Sequence, residues 1–353
     1  MTEIFMLFDT IRTKGHENVL LCYDKETDLR AIIAVHDTTL GSALGGTRRW
    51  AYDTEEDALT DVLRLSEAMT WKAAAADLPM GGAKSVIIKN SHDQEPTEAV
   101  ARAMGRFVDR LNGLYIAAED VGVDTQFIDW MAGETKFVMG GETVSRGGDP
   151  APYTARGVVN GIKGGLRAVG RPGSLEGVKI AVQGMGALGS NVVRIAKNEG
   201  ADVVVAEIDE DSLKSVTDEF EVEVVGVEEI ITTECDVLCP CALGAVVHAG
   251  NIADLRCQVL CPGANNVLAK PSEEAPLLHD RNIAYCPDFV ANGGGLIRLA
   301  GLYVGWDEPK INTKIAQIEQ TIVDILAQSN GNAHTAAVDY AKAKIEAGKL
   351  QTA

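Results

Sequence analysis

The chain contains no stretch of ~20 consecutive apolar residues, which excludes an ordinary membrane-spanning helix. Its opening residues, MTEIFMLFDT, carry Glu3 and Asp9 where an export signal would carry a basic segment and then an apolar core. A cytoplasmic protein is therefore expected. Basic residues are scarce: 32 Lys and Arg face 51 Asp and Glu, for a formal net charge of −19. That field repels nucleic-acid backbones and anionic membranes, so neither is an expected partner. The seven cysteines are odd in number, contain no CxxC pair and lie mostly in strand-like runs, which predicts reduced buried thiols and no metal site. Cys239-Pro240-Cys241 lacks the second ligand pair that zinc would require. Only six histidines occur, none in the constellation that a hydroxy-acid dehydrogenase would need for its base. A Walker loop is excluded too, because GGAKS places Ala83 where GxxxxGK[ST] needs glycine.

At 353 residues the chain is long enough for two domains, and the halves differ in rhythm. In the second half, short apolar runs recur at Val178–Gln183, Asp202–Ala206, Val222–Val225, Cys235–Cys239, Cys257–Cys261 and Ile283–Cys286. Turn residues and helix-compatible segments separate them, as in a doubly wound parallel sheet. A helix is predicted before the first strand, between Thr154 and Gly173, with Val158, Ile162, Leu166 and Val169 on one face. The first half reads as α+β, with strands at Leu29–His36 and Ser85–Lys89 and helices over Glu55–Trp71 and Thr97–Leu111. The fold class is thus α/β. Residues 1–145 form an α+β domain for substrate binding and oligomerisation, 146–330 a doubly wound dinucleotide-binding domain, and the cleft lies between them. The Gly-rich stretch 139–152 serves as hinge, and an Ala-rich helix within 331–353 is expected to pack back on the first domain.

The strand Val178–Gln183 runs directly into Gly184-Met185-Gly186-Ala187-Leu188-Gly189 and a helix-like segment. This is GxGxxG in its required strand–turn–helix context, where backbone N–H groups and the helix dipole hold a pyrophosphate. The following strand ends at Glu207, about 20 residues on, where a carboxylate accepts hydrogen bonds from the adenosine ribose. Such a carboxylate repels a 2′-phosphate, so NAD is expected over NADP. Asp209 is a second candidate for that role.

Chemistry points to Lys72 and Lys84, in WKAAAADLPMGGAKS, a stretch whose one other charge is Asp77. An ammonium in apolar, glycine-lined surroundings loses hydration, and its pKa falls toward the range of useful proton transfer.

With HDTTLGSALGGTR (36–48), MTWKAAAADLPMGGAKSVI (69–87), AAEDVG (117–122), VQGMGALG (182–189), CPCALGAV (239–246), GANN (263–266) and PDFVANGGG (287–295) in order, the chain resembles the glutamate/leucine/phenylalanine/valine dehydrogenase family over essentially its whole length. The resemblance implies NAD-dependent, reversible deamination of an L-amino acid to a 2-oxo acid and ammonia, by a homo-oligomer assembled through the first domain. It implies that Lys72 pairs with the substrate carboxylate, that Lys84 holds the attacking water and polarises the developing carbonyl, and that Asp120 is the general acid/base. Gly45 and Gly46 would admit the substrate close to main chain. Thr154 and Asn292 would meet the nicotinamide carboxamide, Asn292 also touching substrate. Ala242, Asn265 and Asn266 would line the cofactor ribose and nicotinamide.

By the same resemblance, Leu44 and Leu299 stand where glutamate-specific relatives place a lysine and a serine, and Ala118 and Leu296 complete a neutral pocket. Burying a charged substrate side chain against these groups would cost several kcal/mol. Apolar amino acids are therefore expected, with leucine, valine and isoleucine favoured and phenylalanine or tryptophan the alternative. Arg298 is the charged group beside this pocket. A reading of another class, a non-catalytic NAD-binding regulator of the same fold, would conserve the cofactor turn and dispense with Lys72, Lys84 and Asp120. Dimer and octamer both stand open.

Overall fold

The computed structural model describes residues 7–91, 94–142 and 148–352. Contacts divide the chain into two compact units. The first holds the residues up to Asp149 with Leu299–Gly305 and the chain from Lys342; the second holds Pro150–Arg298 and Trp306–Ala341. The sequence boundary at 145/146 lies outside the described residues, within 143–147.

The first unit runs α1 (Leu7–Lys14), β1 (Asn18–Asp24), β2 (Leu29–Asp37), β3 (Ala43–Trp50), α2 (Glu55–Ala75), β4 (Gly81–Ile88), α3 (Glu98–Arg110), β5 (Tyr115–Glu119) and α4 (Thr125–Ala132). Its strands form one sheet in the order β1-β2-β4-β3-β5, antiparallel for the first two pairings and parallel between β4, β3 and β5. The helix α2 begins where Thr54 accepts a hydrogen bond from the Asp57 N–H at 3.0 Å, and Glu55, Glu56 and Asp57 favour the positive end of its dipole. Its apolar face sets Leu59, Val62 and Leu63 against Ile32, Ala34 and Val86. Each such side chain contributes ~1.5–3 kcal/mol on burial. The helix outruns its predicted end at Trp71 and reaches Ala75, because the alanines after Lys72 are strong helix formers. Lys72 consequently sits in its last turn.

Strand β4 begins at Gly81, earlier than the predicted Ser85, so the GGAK segment is strand rather than loop. Its glycines serve close packing: a Cβ on Gly82 would stand 2.1 Å from the Thr70 nitrogen on α2. In the same unit Lys344 Nζ meets Asp77 Oδ1 at 3.3 Å.

The second unit contains α5 (Ala151–Ala168), β6 (Lys179–Gln183), α6 (Ala187–Asn198), β7 (Asp202–Ala206), α7 (Glu210–Glu219), β8 (Glu223–Val224), β9 (Val237–Pro240), β10 (Val259–Leu260), α8 (Pro271–Asp280), β11 (Ala284–Tyr285), α9 (Asp288–Ala291) and α11 (Glu308–Ala327). The helix α10 (Gly294–Tyr303) starts in this unit and α12 (Ala333–Thr352) also has its first turns here. All six predicted strand positions are occupied, and the strands form one parallel sheet in the order β11-β10-β9-β6-β7-β8. The order reverses beside β6, the switch point at which doubly wound sheets bind ligands. Val158, Ile162 and Leu166 of α5 are fully buried, as their spacing predicts. All seven cysteines are free thiols, and burial pushes Cys235 and Cys257 up to about 12. Among the described residues no helix is long and apolar enough to cross a membrane.

Candidate active site

Strand alternation and register bring one set of side chains to one face of the first sheet. Gly46 of β3 pairs with Ala118 of β5, while Leu44 pairs with Gly82 of β4, which places Leu44, Gly46, Arg48, Lys84 and Ala118 on the same side. Asp120 follows β5 directly and joins them. Lys84 is only 6 % exposed, and its Nζ lies 3.1 Å from Asp120 Oδ2. The same oxygen accepts a second charged hydrogen bond, from Arg48 Nε at 2.8 Å. Arg48 then turns Nη1 to Asp61 Oδ2 at 2.9 Å. Asp61 in turn accepts from the Tyr52 hydroxyl at 2.8 Å and from Arg64 Nη2 at 2.9 Å.

Charge alternates along this chain of contacts, and the titration of its members follows. Burial lowers the Lys84 pKa and outweighs the opposing pull of Asp120, while the Arg48 cation lowers it further. Burial would raise Asp120, but Lys84 and Arg48 together hold it below the usual carboxylate range. Asp120 is therefore held as an anion, beside a lysine that burial makes readier to give up its proton.

Gly46 makes this proximity possible. A Cβ there would stand 2.6 Å from the Glu119 carbonyl oxygen, 2.9 Å from Asp120 Cβ and 3.0 Å from Lys84 Nζ. On the opposite side of the strands the Tyr115 hydroxyl donates to the Gly45 carbonyl at 3.0 Å, within a buried cluster that includes Ser85 and Thr47. Leu44 is 1 % exposed and Ala118 is buried. Lys72 is half-buried on α2. Arg48, Asp61 and Tyr52 escaped the sequence reading. Arg48 ends the GGTR motif, which was a usable signal; Asp61 and Tyr52 lie in unremarkable polar contexts.

In the second unit, β6 runs into Gly184, whose φ of +93° is the left-handed turn that glycine favours, and a Cβ there would be 2.7 Å from Ala242 Cβ. Gly186 caps α6, with Ala187, Leu188 and Gly189 in its first turn. Glu207 reaches back to this turn: Oε2 accepts from the Met185 N–H, and Oε1 from those of Ile208 and Asp209 at 2.6 and 3.0 Å. Burial works against the carboxylate here, but the three amides hold Glu207 below its ordinary pKa. Asp209 is otherwise engaged. It caps α7, accepting from the Ser212 N–H at 2.8 Å.

Asn292 is buried and donates from Nδ2 to the Gly263 carbonyl at 3.1 Å and to Asn265 Oδ1 at 2.8 Å, so two of the predicted residues meet. Asn266 has a left-handed φ of +52°, and its carbonyl accepts from the Ala245 N–H. Thr154, in the first turn of α5, donates to the Pro150 carbonyl at 3.0 Å. Leu296 is buried within the second unit, and Leu299 is half-buried within the first. Arg298 pairs with Glu308 at 3.0 Å and lies over the Tyr153 ring, so its charge is directed to those groups.

A parallel sheet of this order, with its glycine turn and acidic strand end at the switch point, defines the class of the second unit: a doubly wound dinucleotide-binding domain. Residues 16–137 match the family model of the Glu/Leu/Phe/Val dehydrogenase dimerisation domain, and 205–352 that of glutamate/leucine/phenylalanine/valine dehydrogenase. The chain belongs to this family, the one its seven motifs resemble. Leucine dehydrogenase of Bacillus cereus is 40% identical over 321 residues, 91% of this chain and 87% of that one. Phenylalanine dehydrogenase of Lysinibacillus sphaericus is 37% identical over 321 residues, covering 89% and 84%. The crystal structure of L-tryptophan dehydrogenase from Nostoc punctiforme superposes with a TM-score of 0.86 at 37% identity, over 97% of this chain and 99% of that one.

Proposed function

We propose that this enzyme is an NAD-dependent dehydrogenase of apolar L-amino acids, converting the amino acid, NAD+ and water to the 2-oxo acid, ammonium, NADH and a proton. The observation that carries the reading is the buried Lys84–Asp120 pair on the sheet face that also presents Leu44 and Ala118. Arg48, a second cation on that face, is held between two carboxylates, so it is committed rather than offered to a charged substrate side chain. Branched-chain aliphatic substrates are favoured, and aromatic ones are the alternative, since discrimination by one methylene is worth only ~1–3 kcal/mol.

Within this reading Lys72 anchors the substrate carboxylate. Lys84 holds the attacking water and polarises the oxygen on the substrate α-carbon, and Asp120 exchanges protons with the amino group and water. The second unit fits a dinucleotide. A Cβ on Gly186 would meet nothing within 4 Å, leaving room at the α6 N-terminus where amides and dipole favour a pyrophosphate. Glu207 would accept the ribose hydroxyls and repel a 2′-phosphate, supporting NAD over NADP. Thr154 and Asn292 would hold the carboxamide, and Ala242, Asn265 and Asn266 would line the ribose and nicotinamide. The cofactor, when bound, supplies the two-electron hydride acceptor. A homo-oligomer assembled through the first unit completes the proposal.

The test is a screen of 2-oxo acids with ammonia and either NADH or NADPH. Fastest oxidation is expected with NADH and branched-chain 2-oxo acids. Dinucleotide binding without turnover on any 2-oxo acid would replace the proposal with the non-catalytic reading, and preference for NADPH would overturn the role of Glu207. A second expectation concerns Gly46→Ala. The added methyl meets a backbone carbonyl, so strand β5 must shift, and displacement of reacting groups by about 1 Å costs on the order of 100-fold in rate. Steady-state kinetics should show kcat/KM down by at least ~10-fold. Wild-type kinetics would disprove the claim that this glycine sets the spacing of Lys84 and Asp120.

A further inference from the structure

We propose that Arg48 is the positioning residue of the catalytic pair: it fixes Asp120 from behind through Nε while Asp61 fixes Arg48 through Nη1, so that the proton-transfer groups keep one geometry through turnover. The inference rests on the function proposed above. Both cations contact one oxygen, Asp120 Oδ2, with Arg48 at 2.8 Å and Lys84 at 3.1 Å. Neither of these two contacts uses the other oxygen, Oδ1. A carboxylate held by lysine alone would lose its charge partner whenever Lys84 became neutral during the reaction. Arg48 cannot become neutral near physiological pH, so Asp120 keeps a cationic partner in every protonation state of Lys84.

The guanidinium is held as firmly as it holds. Its planar fork spans two carboxylates at once, Asp120 and Asp61, an arrangement that a lysine ammonium cannot reproduce. Asp61 is itself fixed from α2 by Arg64 and from the β3–α2 connection by the Tyr52 hydroxyl. A line of support thus runs from the outer surface of α2 to the reacting groups. The groups that face Asp120 and Lys84 are then Arg48 from β3, Asp61 and Arg64 from α2 and Tyr52 from the connection, with Glu119 adjacent in the chain. Arg48 is the permanent cation bonded to Asp120, and it lowers the pKa of both members of the pair.

The test compares wild type, Arg48→Ala and Arg48→Lys by pH profiles of kcat and kcat/KM, and by the 13Cγ titration of Asp120, assigned through its loss in Asp120→Asn. Arg48→Ala should lower kcat by ~10²-fold, within the range of general acid–base effects, with KM for the amino acid changed much less. Removing the cation raises the pKa of both Asp120 and Lys84, so both limbs of the profile should move to higher pH by about one unit or more. Arg48→Lys should return the limbs toward their wild-type positions without restoring kcat, because charge returns and the fork does not. A loss of rate with unmoved limbs and an unmoved 13Cγ titration would show a merely structural role and overturn the proposal. So would full recovery of kcat in Arg48→Lys. Should Arg48→Ala fail to fold, Arg48→Lys alone decides by its split of rate from pH profile. Absence of amino-acid turnover in the wild type would instead sink the proposed function, and the 13Cγ titration would still judge the contact.

Discussion

Lys84→Ala is expected to lower kcat for L-leucine by about 10³-fold while NAD affinity stays within twofold of wild type. Loss of a preorganised donor at the site of developing charge costs 10²–10³ in kcat, and loss of a proton-transfer partner costs a comparable factor. Their overlap in one side chain puts the effect at about 4 kcal/mol of barrier. The KM should move far less, because carboxylate anchoring is assigned to Lys72. The variant should also fold. Removing a buried ammonium leaves Asp120 bonded to Arg48 at 2.8 Å, so no buried charge is stranded. The check is steady-state kinetics beside a dinucleotide titration by fluorescence. A Lys84→Ala enzyme with wild-type kcat would remove the lysine from the mechanism, and one that had lost NAD binding would show that the effect is not local.

Much of this arrangement is legible in the amino-acid sequence, and the reason differs from residue to residue. The parallel sheet is legible because strands buried on both faces must be apolar runs, and turn residues must separate them. The glycine turn is legible because a left-handed residue at the end of β6 leaves one economical choice of side chain. The strand start at Gly81 rather than Ser85 is not legible, because glycine marks both turns and close approach; only the position of Thr70 on α2 distinguishes the two. Asp209 is a second ribose candidate because an acid after a strand and an acid before a helix occupy the same sequence position, and here its Oδ1 caps α7. The Arg48–Asp61 contact joins a strand to the next helix across 13 residues, and no hydrophobic period records such a pairing. Asn292 and Asn265 meet across 27 residues by the same kind of tertiary accident of spacing. What sequence pattern encodes is burial, and what it leaves out is which polar groups burial forces together.

That limit bears on the second large effect, the replacement Asp120→Asn. The substitution keeps shape and removes one negative charge from between two cations, at 3.1 Å from Lys84 and 2.8 Å from Arg48. Rate should fall by about 10²–10⁴-fold, the range for loss of a general acid/base. The pH dependence separates this from simple loss of a hydrogen bond. Asp120 is the leading influence that raises the Lys84 pKa against burial, so without it Lys84 releases its proton at still lower pH. The limb of the rate profile that reports Lys84 must therefore move to lower pH, opposite in sign to the shift expected for Arg48→Ala. Stability follows the same balance. A lysine whose folded pKa lies below its unfolded value binds fewer protons when folded, so stability rises with pH through the interval between the two values. In Asp120→Asn that interval widens downward, and the deficit against wild type should be largest near neutral pH and shrink at alkaline pH, as the lysine of the wild type loses its proton too. Thermal melts of the two proteins between pH 6 and 10, read beside their rate profiles, measure both consequences. A uniform stability deficit, or a Lys84 limb that moves upward, would mean that the carboxylate does not govern the lysine.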